Sequence, residues 1–88
     1  MVAGRSFGAV KNPALIQAFG EHLRALRKAR GLSQQALADE AEISWPTVQR
    51  MEAGTQVASL DVLASLARAL QMPLRELVDF AGAGETGR

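Results

Sequence analysis

Cysteine is absent from this 88-residue chain. No disulfide framework can staple it and no thiolate can hold a metal. That absence fits a reducing compartment, and a cytoplasmic location is expected. There is one histidine, His22; catalysis or metal ligation by it would need partners that the chain lacks, so a surface or half-buried helix histidine is expected. No glycine-rich phosphate loop, metal-ligand cluster or nucleophile–base set is written here. The expectation is a non-enzyme with no metal and no cofactor. Apolar runs are too short to span a bilayer. The first residues lack the continuous apolar stretch of a signal peptide. Strong charge is missing as well: the formal net charge is +1 and the pI about 8.4, below the roughly 9 of a strongly basic nucleic-acid-binding domain.

The charge that is present lies unevenly. Residues 1–30 carry Arg5, Lys11, Arg24, Arg27, Lys28 and Arg30 against one acid, Glu21, whereas residues 31–88 carry four arginines against eight acids. Any basic footprint is therefore a local patch; an ordinary solvated helix face is the other reading. A chain of this length makes one small domain with one core.

Periodicity is helical throughout, with no strand pattern and no internal repeat. Residues 1–12 are Gly- and Ala-rich and aperiodic, and read as a flexible arm, inert or touching phosphates through Arg5 and Lys11. Asn12 and Pro13 suit an N-cap and first helical position. Leu15, Phe19, Leu23 and Leu26 then make one apolar stripe. Gly20 weakens that helix by about 1 kcal/mol relative to alanine. Arg27, Lys28 and Arg30 complement the dipole at its end, and Gly31 stops it. Ser33 caps a second helix to about Ala41, with Leu37, Ala38 and Ala41 inward. Ser44 opens a third, with Val48 and Met51 inward and Gly54 at its end; Pro46 leaves open whether Ser44 or Trp45 is the cap. Ser59 caps a fourth helix, Leu60 to Leu70, with Leu60, Leu63, Ala67 and Leu70 as its inner stripe. After Pro73, Leu74, Leu77, Val78 and Phe80 form a short fifth helix, and residues 81–88 read as a disordered tail. The domain is expected over 13–80.

The stretch FGEHLRALRKARGLSQQALADEAEISWPTVQRMEAGTQVASLDVLASLARALQMPLRELV, residues 19–78, resembles the helix-turn-helix family of phage repressors and Cro proteins. GLSQ, the ALA segment, the VQRMEAG ending and SLDVLASLARAL carry the likeness in combination. The resemblance implies an all-α, compact five-helix bundle, with helices 2 and 3 as the motif and helix 3 in a DNA major groove. It implies a homodimeric regulator of transcription on a palindromic operator; a phage-type repressor, a restriction–modification controller or an antitoxin would each suit. It also implies a structural pair between Arg27 and Glu52, with Arg27 still facing a phosphate. Gln34 would bond a phosphate at the start of helix 2, or is a plain helix starter; Gln35 beside it is neutral surface.

On helix 3 the outward residues are Trp45, Pro46, Gln49 and Arg50. Arginine matches guanine bidentately and glutamine matches adenine, so Gln49 and Arg50 are the expected base readers, unless Arg50 is taken by a neighbouring acid. Ser44 and Thr47 are expected at phosphates. Trp45 and Pro46 depart from the polar residues common in the family. Trp45 meets a thymine methyl or sugar edge, anchors a protein partner, or packs back on the domain. Glu42 stands where relatives often carry a left-handed glycine, at a cost of roughly 1–2 kcal/mol. The loop GTQVAS has no basic residue, which implies fewer phosphate contacts. Leu74, Leu77, Val78 and Phe80 are expected at a two-fold interface, or in the core. The rival to a DNA-binding regulator is a protein-interaction module such as an antitoxin or adaptor.

Overall fold

The structure, a computed structural model, describes residues 12–80. The expected disordered tail over 81–88 lies outside those residues, as does the expected flexible arm over 1–12 apart from Asn12, which caps α1. Five helices follow in order: α1 (Pro13–Ala29), α2 (Gln34–Ala41), α3 (Trp45–Glu52), α4 (Leu60–Ala69) and α5 (Leu74–Leu77). No strand occurs among the described residues.

Each of the four longer helices starts on a side-chain cap. Asn12, Ser33, Ser44 and Ser59 accept from the backbone N–H three residues on, at Leu15, Ala36, Thr47 and Val62. One of the N–H groups that a helix start leaves open is thereby satisfied. Ser44, and not Trp45, is the cap of α3, and Pro46 sits in its first turn where no donor is required.

All four of those helices also end alike. The residue after the last turn is left-handed, at Gly31, Glu42, Gly54 and Gln71. The following N–H returns to a carbonyl five residues back: Leu32 to Arg27, Ile43 to Ala38, Thr55 to Arg50, and Met72 to Ala67. This is the Schellman closure. Glycine announces it at two positions. Glu42 and Gln71 adopt it at φ 60° and 58°, where a Cβ is strained.

The core joins all five helices. Leu23, Leu37, Val48, Met51, Leu66, Leu70 and Leu77 are fully buried, and burying a side chain of this size is worth roughly 1.5–3 kcal/mol. Helix α3 packs on α1 and α2, α2 also on α4, and α4 on α5. Gly20 of α1 lies against the end of α3: a Cβ there would stand 2.8 Å from the carbonyl oxygen of Glu52 and closer still to that of Met51. Its role is close approach of two backbones, which overrides its poor helix propensity.

Two expectations change. Leu60 is 69% exposed, while Leu66 is fully buried. At 3.6 residues per turn Leu60 lies about 75° from the centre of the face formed by Leu66, Ala67 and Leu70. Helix α5 stops at Leu77; Val78 closes it and Phe80 lies beyond.

Candidate nucleic-acid interface

The surface that α3 offers is fixed from behind. Val48 and Met51 are fully buried, which turns Trp45, Pro46, Gln49 and Arg50 outward, all exposed. The α2–α3 connector is three residues, Glu42 to Ser44. The left-handed Glu42 and the Ser44 cap settle where α3 leaves it.

Arg27 of α1 clamps the other end. Its Nε donates to Glu52 Oε2 at 2.6 Å and its Nη2 to Oε1 at 2.9 Å. Its Nη1 donates to the carbonyl of Leu32 at 2.9 Å. One guanidinium thus holds the last residue of α3 and the turn into α2. The hydrogen bond to Glu52 raises the Arg27 pKa, with the carboxylate's charge assisting and desolvation opposing. With three donors committed and 8% exposure, Arg27 is a residue that holds the site more than one that reaches from it.

Gln34, at the start of α2, extends the same chain. Its amide donates to Glu52 Oε1 at 3.0 Å, and its carbonyl accepts the Trp45 indole N–H at 3.4 Å. Arg27, Glu52, Gln34 and Trp45 form one hydrogen-bonded line from α1 to the exposed edge of α3. Trp45 is tethered by its nitrogen yet 45% exposed, so its ring is neither packed into the core nor free. Gln35 bonds Asp39 on its own helix.

In front of this line opens a cleft of about 630 Å³, lined by Arg24, Arg27, Ser33, Gln34, Gln35, Trp45, Gln49, Glu52 and Ala53. Glu52 is its only acid, and Arg27 neutralises it. Arg24, one turn before Arg27 on α1 and exposed, is the cation left to face a ligand there. Its three-residue spacing from Arg27 was the available signal for it. Ser44 and Thr47 share a hydroxyl–hydroxyl bond of 2.6 Å beside the α3 start.

Among the described residues Arg50 pairs with no acid. Its Nε donates to Gln56 Oε1 at 2.6 Å in the loop after α3. No spacing rule pointed to Gln56; the return of the chain after Gly54 brings it there.

The four residues expected at a two-fold interface separate. Leu77 is fully buried within its own chain and offers no surface. Leu74 and Phe80 pack against the core, with the Phe80 ring 5.9 Å from that of Phe19 and 5.2 Å from that of His22. Only Val78 is exposed, at 37%. It lines an apolar groove of about 220 Å³ with Leu15, Ile16, Val57 and Leu63. His22 is half-buried against Phe80 with its Nε2 unpartnered among the described residues. No group of three metal-ligating side chains occurs among them, and no helix there is long and apolar enough to cross a membrane.

An outward-facing α3, the capped α2 packed on it and a polar cleft at their junction define a helix-turn-helix unit. The family model for the helix-turn-helix domain matches residues 18–81, and the chain belongs to that family, of the Cro/C1 type. Control protein C.BamHI of Bacillus amyloliquefaciens is 31% identical over 67 residues, covering 75% of this chain and 83% of that protein. The crystal structure of the restriction-modification controller protein C.AhdI from Aeromonas hydrophila superposes with a TM-score of 0.69 at 39% identity, covering 75% of this chain and 98% of that one. The clp gene regulator ClgR of Corynebacterium glutamicum gives a TM-score of 0.68 at 29% identity, over 75% of this chain and 86% of that one.

Proposed function

We propose that this chain is a sequence-specific, double-stranded DNA-binding transcriptional regulator that lays α3 in the major groove. The observation that carries the reading is the outward row Trp45, Pro46, Gln49 and Arg50, on a helix pinned by a buried core behind it and by Arg27–Glu52 at its end. Gln49 and Arg50 read base edges, by the amide–adenine and guanidinium–guanine matches. Trp45 and Pro46 supply apolar contact to a thymine methyl or sugar edge. Phosphates are held at the α2 start by Gln34, through its second amide hydrogen and the helix's free N–H groups, by Ser44 and Thr47 beside α3, and by Arg24. The two donors of Arg27 that remain uncommitted add positive potential to the cleft. Occupancy of the operator is the whole activity; no bond is made or broken, and no cofactor is required.

The protein acts as a homodimer in this reading. Val57 and Leu60 are exposed at 59% and 69%, and Val78 at 37%. Val57 and Val78 border one apolar groove, exposed apolar residues of this size suit a second copy, and a two-fold dimer sets its recognition helices about 34 Å apart, one turn of DNA. The likeness to two control proteins supports the sub-role of a small controller, occupying an operator in the cytoplasm.

The test is selection of duplexes from a random pool. An enriched sequence with two-fold symmetric half-sites supports the reading. No enrichment, with salt-insensitive binding of a protein partner instead, would move the function to an interaction module.

A further inference from the structure

We infer that Gln56 is the positioning residue for Arg50, and that the Arg50–Gln56 pair forms a guanine-selective reader in which only the terminal nitrogens of the guanidinium face the base. This rests on the proposed placement of α3 in the major groove.

Three observations carry it. Arg50 is exposed at the end of α3, yet its Nε is not free: it donates to Gln56 Oε1 at 2.6 Å. A long exposed side chain on a recognition surface ordinarily samples many rotamers, and ordering it on binding lowers affinity. Here one ring-like closure across the helix end sets its direction beforehand. Secondly, the same loop grips Arg50 by its backbone. Thr55 donates both its N–H, at 2.9 Å, and its hydroxyl, at 3.2 Å, to the Arg50 carbonyl. Residue 56 is therefore delivered to the side chain by the Schellman turn at Gly54 and is not a chance neighbour. Thirdly, Gln56 is itself half-buried and borders the apolar groove beside Val57, Ala58 and Phe80, so the acceptor has a fixed seat.

The chemistry follows from counting donors. An arginine can meet a base side-on, through Nε and one terminal nitrogen, or end-on, through both terminal nitrogens. Gln56 occupies Nε and removes the first mode. Among the described residues no acceptor engages Nη1 or Nη2, so the end-on fork remains. Two parallel donors match the two acceptors O6 and N7 of guanine. Adenine presents an acceptor beside a donor and is refused. Gln56 reaches no base and works through Arg50. The chain's unusual loop, lacking lysine and arginine, thereby serves base selection in place of phosphate attraction.

The experiment measures base preference at every position of a selected duplex for the wild type, Arg50→Ala, Gln56→Ala and Gln56→Glu, with the Arg50 Nε–H resonance followed in the free proteins. Arg50→Ala is expected to abolish a guanine preference at one position per half-site. Gln56→Ala is expected to lower that preference about fivefold, a part of the roughly tenfold or more a bidentate pair discriminates, with melting temperature and affinity for random duplex unchanged. In the free protein the same variant speeds solvent exchange of the Arg50 Nε–H. Gln56→Glu, whose carboxylate still accepts from Nε, restores both the slow exchange and the preference. Full guanine preference in Gln56→Ala would overturn the positioning role. An unaltered exchange rate in that variant would overturn the clamp itself. If Arg50→Ala changes no base preference, the fault lies in the underlying assignment of Arg50 as a reader, and the inference goes with it.

Discussion

The Glu52 carboxylate is held by Arg27 from two directions, Nε at 2.6 Å and Nη2 at 2.9 Å, across 25 residues of sequence. The side chains are 9% and 4% exposed. Removing one partner of such a pair strands the other charge, at about 3–5 kcal/mol. Arg27→Met is accordingly expected to lower stability by about 3 kcal/mol, and Arg24→Met, on the exposed part of the same helix, by no more than about 0.5 kcal/mol. Thermal melts compare them directly, and equal melting temperatures would contradict the pair. The Arg27 pKa is raised in the fold. Its contribution is therefore complete below the unfolded-state pKa and is lost only as pH climbs through the higher folded value. Mildly alkaline buffer leaves it whole.

Gly20→Ala tests the approach of α1 to α3. On a free helix the change gains about 1 kcal/mol. Here the added carbon meets the backbone carbonyls of Met51 and Glu52, which no rotamer can relieve. The expected result is a net loss of about 1–3 kcal/mol, as for overpacked cores, read by urea denaturation. A gain would mean that α1 and α3 stand further apart.

Glu42→Gly is expected to stabilise by about 1 kcal/mol, because glycine removes the cost of a left-handed Cβ. The φ of 60° at Glu42 supplies the premise. Gln71→Gly, at φ 58°, should gain less, since it also removes the side-chain oxygen that accepts from Arg30. A lowered melting temperature for Glu42→Gly would contradict the strain.

Val78→Asp and Leu60→Asp are expected to shift a homodimer toward monomer in sedimentation while circular dichroism stays helical. Leu77→Asp, by contrast, buries a charge in the core and is expected to prevent folding. Dissociation by none of the surface variants would move the interface elsewhere.

Local chemistry was the legible part of this fold. Asn12, Ser33, Ser44 and Ser59 announce helix starts because capping is a contact over three residues, and Gly31 and Gly54 announce stops because φ is positive there. The arginine–glutamate pair was legible only through the family likeness. What stayed hidden depends on where distant segments meet. Gly20 reads as a weak helix residue until α3 is laid against it. Leu77 reads as a spare apolar residue until α4 covers it. Leu60 and Leu66 trade places because the packed face of α4 is centred about 35° round the helix from the stripe 60, 63, 67 and 70, a rotation that only the neighbouring helices decide. Gln34 reads as a free phosphate donor, yet Glu52 and Trp45 occupy both ends of its amide. Gln56 reads as loop polarity, and only the closure at Gly54 brings it to Arg50.

Whether α3 meets DNA is read most directly from Trp45, the chain's one tryptophan, on the exposed edge of that helix. Mixed-sequence duplex DNA is titrated into the protein at low and at moderate salt while intrinsic fluorescence is recorded. The expected result is a change that saturates and that weakens as salt rises, since phosphate contacts release counterions. An unchanged spectrum from folded protein, with other binding probes equally silent, would contradict the placement of α3 in DNA.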